Sequence, residues 1–370
     1  MEINFGKRPP FTIGVEEEFQ LVDATSYELV SRFDEVEEEV APAVEVKPEL
    51  LKSVLEVATH VHRTVPEAVE EAATLRERVA AAAAERDTLV VSAGTHPFSR
   101  YEHQQVTEHE RYLELIDRMR WVAEREVIFG LHVHVGVASG HEGVAVANAL
   151  RTWLPELLAL SGNSPYWQGR DTGLRSTRSK IFDAFPRSGI PPAFSSFEEW
   201  ELTMERASRL GFFEDYTYVW WDVRLHPKLG TIEVRVCDSQ TRIDAVTGIV
   251  ALVQSLVATL ADRYGRDGSL PIQPVTLIAE NKWRAARYGL DTDLVDLEHD
   301  TERPARDAVR ALVELARPAA ARLGCAAELD EVGRTLDRGT GADEQRRVHE
   351  ESGSLLAVAQ WLVEQTVSGV

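Results

Sequence analysis

The sequence predicts an α+β protein in which an antiparallel sheet keeps one face polar and open and buries the other under helices. Three observations carry this reading. Several stretches alternate apolar and polar residues with period two, the pattern of a strand buried on one side only. Two such runs lie between Tyr218 and Thr241 and are joined by Pro227 to Gly230, a connection of hairpin length. Elsewhere apolar residues recur at helical spacing, and from Arg242 onward the chain reads as mainly helical.

Taken in chain order, residues 11–22 (FTIGVEEEFQLV) read as a strand, with Glu16 and Glu18 on one face and Glu17 on the other. The segment 48–60 places Leu51, Val54, Leu55 and Ala58 at i, i+3, i+4, i+7, so it is expected to form a helix. Glu49, Ser53, Glu56 and His60 then form a stripe on its opposite side. Thr64 followed by Pro66 opens a long Ala-rich helix to about Arg86, TLVVSAG at 88–94 reads as a buried strand, and another helix follows near His109. Residues 126–137 alternate, with Leu131, Val133, Val135 and Val137 facing the core and His132 and His134 together on the other side.

A helix is expected from about Glu142 to Leu160, then an ordered loop over 161–179 rich in Gly, Ser, Asn and Arg. In the hairpin, pairing His226 with Thr231 sets Arg224 opposite Glu233 and Asp222 opposite Arg235 on the polar face, with Val223, Leu225, Ile232 and Val234 inward. Continued alternation puts Cys237 on the Glu233 and Arg235 face.

Composition limits the function. The 370 residues carry 40 Lys plus Arg against 61 Asp plus Glu, a net charge of -21, which disfavours nucleic acid and anionic membrane partners and favours cations. With 44% apolar and 27% charged residues the chain is expected to fold, and no repeat or Ser/Gly-rich linker divides it, so 1–370 reads as a single domain. Two cysteines, Cys237 and Cys325, are too few for a disulfide framework. The start lacks signal-peptide character, and the longest apolar stretch, Gly248 to Ala261, falls short of the ~18–20 residues that span a bilayer. A cytoplasmic protein with no membrane segment is expected, and the sequence is compatible with a homo-oligomer.

Three strands thus present pairs of functional groups on single faces: Glu16 with Glu18, His132 with His134, and Glu233 with Arg235. Glu49 and Glu56 add a fourth pair. If these converge, the carboxylates raise one another's pKa unless cations neutralise them. Carboxylate oxygens suit Mg²⁺ and Mn²⁺, with imidazole better tolerated by Mn²⁺, and the expected guest of such a centre is a nucleoside triphosphate. Each pair also has a plainer reading: a solvated strand edge for Glu16 to Glu18, an ordinary helix surface for Glu49 and Glu56, and cross-strand ion pairing for Glu233 and Arg235. Cys237 lacks any activating signature and reads as packing. GxGxxG and Walker loops are absent, so a triphosphate would be held by metals and arginines.

Five segments in order, GVEEEF at 14–19, GLHVHVGV at 130–137, SGNSPYWQGRDTGLRSTR at 161–178, RLHPKLGTIEVRV at 224–236 and ENKWRAARYGLD at 280–291, resemble the type 2 glutamate-cysteine ligase family, the carboxylate-amine ligases. The resemblance implies a glutamine-synthetase-like core, a curved antiparallel sheet with helices on its convex side and ATP and metals on the other. It implies metal ligation by Glu16, Glu18, Glu49, Glu56, His132 and Glu233, a catalytic role for Arg235 at the transferred phosphoryl group, and ATP or substrate contact by His134, Arg170, Arg175, Arg178 and Arg224. Lys282 and Arg284 read as solvated helix residues. The implied reaction consumes ATP with Mg²⁺ or Mn²⁺ to join glutamate, through an acyl phosphate, to cysteine or another amine. A ligase of the same superfamily joining a different carboxylate and amine, a phosphotransferase and an ATP-binding non-enzyme are the alternatives.

Overall fold

A computed structural model describes residues 2–40 and 44–368. Seven strands form one antiparallel sheet: β1 (Ile13–Asp23), β2 (Val46–Pro48), β3 (Val54–Ala58), β4 (Thr88–Val91), β5 (Gly130–Gly136), β6 (Val223–His226) and β7 (Thr231–Asp238). Their order is β6-β7-β5-β1-β3-β2, with β4 paired to the second half of β1. β1 is therefore central, and its register matters most. Glu16 lies opposite His132 on one side and Ala58 on the other, Glu18 lies opposite Glu56, and on β5 His134 lies opposite Glu233. Directly opposed residues share a face, so this register gathers the acidic and imidazole side chains on one surface.

The other surface is apolar. Leu131, Val133, Val135, Ile232 and Val234 are fully buried and share one core with the helix Ile243–Asp267. Among the described residues this is the one helix long and apolar enough to cross a membrane, but 72% of that stretch is buried inside the protein, as in a core helix. Glu17, pointing to this side as expected, is 1% exposed and forms a two-pronged ion pair with Arg76 of the helix Val65–Ala84, at 3.0 and 2.5 Å. Arg76 also donates to the carbonyls of Gln240 and Thr241, which tethers the lead-in to the core helix to β1. A second cluster, including Phe19, Leu21, Leu55 and Val57, packs under the helices Phe33–Val40 and Val65–Ala84.

The hairpin has the expected register from His226–Thr231 to Val223–Val234, and the amide of Arg235 donates to the carbonyl of Asp222 at 2.8 Å. Gly230, with φ +73°, supplies the left-handed turn residue. The helix from Thr64 and the strand at Thr88 form where expected. The expected helix over 142–160 is two helices, Gly140–Leu150 and Leu154–Ser161, separated by a tight turn ahead of Pro155.

Three expectations are corrected. Residues 48–60 are not helical: Val54–Ala58 is a strand between β1 and β2, because a five-residue run that buries both its faces gains more from ladder pairing than from an isolated amphipathic turn. Cys237 is not on the polar face. A bulge between Val234 and Cys237 shifts the register so that Cys237 pairs with Leu131, in the core, where burial pushes its thiol up to about 12. Lys282 is not solvated; it is 4% exposed and pairs with Asp222 at 2.8 Å and Asp183 at 3.0 Å.

Candidate active site

A cavity of about 280 Å³ opens over the polar face of the sheet, lined by Glu16, Glu18, Glu49, Glu56, His132 and Arg235 among others. Ligand atoms of three groups come within 4.8 Å of one another: Glu16, Glu56 and His132; Glu16, His134 and Glu233; Glu18, Glu49 and Glu56. Glu16 and Glu56 each belong to two groups, so the three form one continuous acidic centre.

Electrostatics divide these groups. Burial alone would raise Glu16, but His134 and His132 hold it well below the usual carboxylate range. Glu233, fully buried, is likewise held low against burial by Arg224 and Arg235. Arg224 grips it with two prongs, at 2.5 and 3.2 Å, and anchors its own guanidinium on the Val219 carbonyl at 2.7 Å; Arg235 reaches the same carboxylate from the next turn of the pleat. The other acids are under-compensated. Burial, then Glu18, pushes Glu49 up to about 7, and burial, then Glu16 and Glu49, pushes Glu56 well above its ordinary value. Lys47 offsets part of this, 2.9 Å from Glu56 and 3.8 Å from Glu16. On the imidazoles, burial and Arg235 lower His132, whereas Glu16 and Glu233 overcome burial to raise His134.

This donor set fits divalent cations. The Nε2 atoms of His132 and His134 are buried without a hydrogen-bond partner, and the surrounding oxygens carry more negative charge than the neighbouring cations balance. Oxygen-rich groups, two of them with one imidazole and the third all carboxylate, match the coordination taste of Mg²⁺ or Mn²⁺.

The arginines sort clearly. Arg178 is 3% exposed and lines the cavity, with its terminal nitrogens 3.3 Å from the Arg235 carbonyl. It lies over Gly130, where any Cβ would run into the guanidinium. The helix Thr177–Phe182 that carries it is capped by Ser176, whose hydroxyl donates to buried Asp238. Arg170 and Arg175 are not brought to the cavity: Arg170 is exposed on a short hairpin, and Arg175 pairs with Asp291 and Asp343 at 3.0 and 3.1 Å.

Several cavity residues escaped the sequence reading, among them Arg111, Tyr112 and Glu126. Tyr112 donates to the Pro48 carbonyl at 2.8 Å, bracing the turn that carries Glu49. No spacing signal marks Arg111 or Tyr112. Glu126 had one: counted back by twos from His132 through Gly130 and Ile128, it falls on the polar face of the alternating segment.

Fold, site and relatives define the class first: an ATP-dependent ligase that joins a carboxylate to an amine. The chain belongs to glutamate-cysteine ligase family 2, whose model matches residues 12–360. It is 48% identical over 362 residues to a provisionally named glutamate–cysteine ligase 2-1 of Rubrobacter xylanophilus, covering 96% of this chain and 95% of the relative. A provisionally named glutamate–cysteine ligase 2 of Herpetosiphon aurantiacus is 40% identical over 363 residues, covering 98% and 94%. Among solved structures, the glutamate–cysteine ligase of Francisella tularensis in complex with AMP shares the fold at TM-score 0.71 and 13% identity, covering 100% of this chain and 90% of that one. A bifunctional glutathione synthetase of Pasteurella multocida matches at TM-score 0.66, also at 13% identity, over 97% of this chain and 52% of that one.

Proposed function

We propose that this ligase joins the γ-carboxylate of glutamate to the amine of cysteine at the expense of ATP, releasing ADP and phosphate. The observation that carries the reading is the continuous acidic centre over the sheet, with Arg178, Arg224 and Arg235 at its edge. The groups Glu16/Glu56/His132, Glu16/His134/Glu233 and Glu18/Glu49/Glu56 would hold divalent cations, whose chemistry is to neutralise phosphate charge.

The glutamate γ-carboxylate oxygen attacks the γ-phosphorus of ATP, and the bond from that phosphorus to the β,γ-bridging oxygen breaks. ADP leaves, and an acyl phosphate remains. The amine nitrogen then attacks the acyl carbon, the carbon–oxygen bond to phosphate breaks, and the amine loses a proton. Arg235 is half-buried and already fixed by Glu233, so it can stabilise charge on the moving phosphoryl group without reorganising. Arg178, buried and anchored on main-chain carbonyls, offers the Nε–H that it leaves unpaired. No protein nucleophile is needed, in keeping with the buried, high-pKa thiol of Cys237.

The test is ADP release by purified protein with Mg²⁺ or Mn²⁺, glutamate, and a panel of amines, with the product weighed by mass spectrometry. A γ-glutamylcysteine product formed only with cysteine supports the reading. Cysteine-independent ADP release that follows another amine or another carboxylate replaces the substrates and keeps the class. A stable phosphorylated product, or ATP binding without turnover, overturns the reading.

A further inference from the structure

Of the five glutamates that line the catalytic cavity, four belong to the cation-binding groups, and Glu126 does not. Glu126 stands at the mouth of β5, where its amide donates to the Ala123 carbonyl, and its side chain enters the cavity beside Ile128, His132, Arg178 and Arg235. Among the described residues it forms no ion pair and no side-chain hydrogen bond, and its Oε2 is buried without a partner. The nearest cationic influence is Arg178, whose terminal nitrogens are committed to the carbonyls of Arg235 and Val236. A carboxylate left unpaired in a desolvated pocket is costly unless a ligand completes it, and it rejects ligands that cannot do so.

We propose that Glu126 is the residue that receives the ammonium group of an amino substrate. The inference rests on the ligase reading and adds to it the recognition of that group. Divalent cations have their own oxygen groups in the centre, and the phosphates of ATP would be repelled by a bare carboxylate; a primary ammonium is the remaining charged group among the substrates, with three donors to give. Two ammonium groups qualify, that of glutamate and that of the incoming amine, and the assay separates them.

The experiment compares the parent with Glu126→Gln and Glu126→Asp, each checked for native circular dichroism. Calorimetry without turnover measures binding of glutamate against glutarate, and of cysteine against 3-mercaptopropionate, which differ only by the ammonium group. The parent binds one amino ligand at least about tenfold more tightly than its deamino analogue; Glu126→Gln loses that preference, and Glu126→Asp keeps part of it. Kinetically, Glu126→Gln raises KM for that one substrate by ~10-fold or more and leaves KM for ATP within about twofold. Loss of preference in the glutamate pair assigns the glutamate ammonium, and loss in the cysteine pair assigns the amine. A preference unchanged in Glu126→Gln overturns the proposal, as does a change confined to ATP or metal dependence. Because binding is measured without turnover, a protein that ligates some other pair would fail the product assay and still report on Glu126 through the amino acids it binds.

Discussion

Replacing Glu233 by Gln tests the centre's electrostatics most directly. The carboxylate is fully buried between Arg224 and Arg235, with His134 3.9 Å away, and the change keeps its shape while removing its charge. Removing one partner of a buried ion pair costs ~3–5 kcal/mol, and because Gln retains one acceptor the lower end applies, about 3 kcal/mol. The unfolding entropy of ~2.1 cal/mol/K per residue over 370 residues is about 0.8 kcal/mol/K, so Tm at pH 7 should fall by about 4 °C. The pH dependence fixes the cause. The two arginines depress the folded-state pKa of Glu233 below its ordinary 4.5, so its stabilisation is complete above that value and is lost as pH falls through the folded pKa. The gap in Tm between parent and variant should therefore be full at pH 7 and begin to close below pH 4.5. Scanning fluorimetry across this range, with ADP release measured on the same samples, gives both readouts; turnover should vanish while the folded baseline persists. A gap under about 1 °C at pH 7, or one that stays constant to pH 3.5, would refute the claim that Glu233 is the charge holding both arginines.

Three further outcomes are expected. Lys282→Met strands the buried carboxylate of Asp222, leaving Asp183 its pair with Lys180, and should lower stability by ~3–5 kcal/mol in denaturant unfolding, whereas Arg284→Ala, which breaks only exposed contacts with Glu280, Glu302 and the Asp293 carbonyl, should cost less than about 1 kcal/mol. Protons compete with divalent cations at Glu49 and Glu56, so the half-saturating Mn²⁺ concentration should fall as pH rises from 6 to 8, and Glu49→Gln should flatten that dependence. These same raised pKa values make the metal-free protein lose stability as pH climbs from 4.5 through 7, since the folded state binds more protons than the unfolded chain, and added Mn²⁺ should reverse that loss in thermal melts.

Much of the centre was legible because strand parity is a strong signal. Glu16 and Glu18, His132 and His134, and Glu233 and Arg235 could each be placed on one face by counting in twos, and sheet register then brought the faces together. The hairpin register was countable for the same reason, since a four-residue connection leaves little freedom at its base. What parity cannot reveal is where it breaks. The bulge after Val234 inserts one residue with no Gly or Pro to announce it, and that single residue moves Cys237 from the cavity side to the core. Long-range partners were equally hidden: nothing near Lys282 in sequence foretells that Asp183 and Asp222 will close over it, so an amphipathic helix position looked solvated.

The segment from Pro48 shows why a wrong element can still deliver a right site. Helical spacing set Glu49 and Glu56 on one stripe, yet the chain meets the same requirement by other means. Glu56 reaches the cavity through strand parity, opposite Glu18. Glu49 reaches it from a turn pinned by Thr107, whose hydroxyl donates to the Glu49 carbonyl at 2.6 Å, and by the bridge between Leu51 and Val106. The seven-residue interval fits both geometries, because two helical turns and a turn followed by a short strand can each return a side chain to one side. Burial is what separates the two readings. A surface helix would have left Ser53 and Glu56 in water, whereas Ser53 is fully buried and Glu56 is 7% exposed, so the stretch has two buried faces and only a sheet interior supplies both. The convergence of these carboxylates is thus a property of the sheet, and it is why their charge exceeds what the neighbouring lysine and arginine side chains balance.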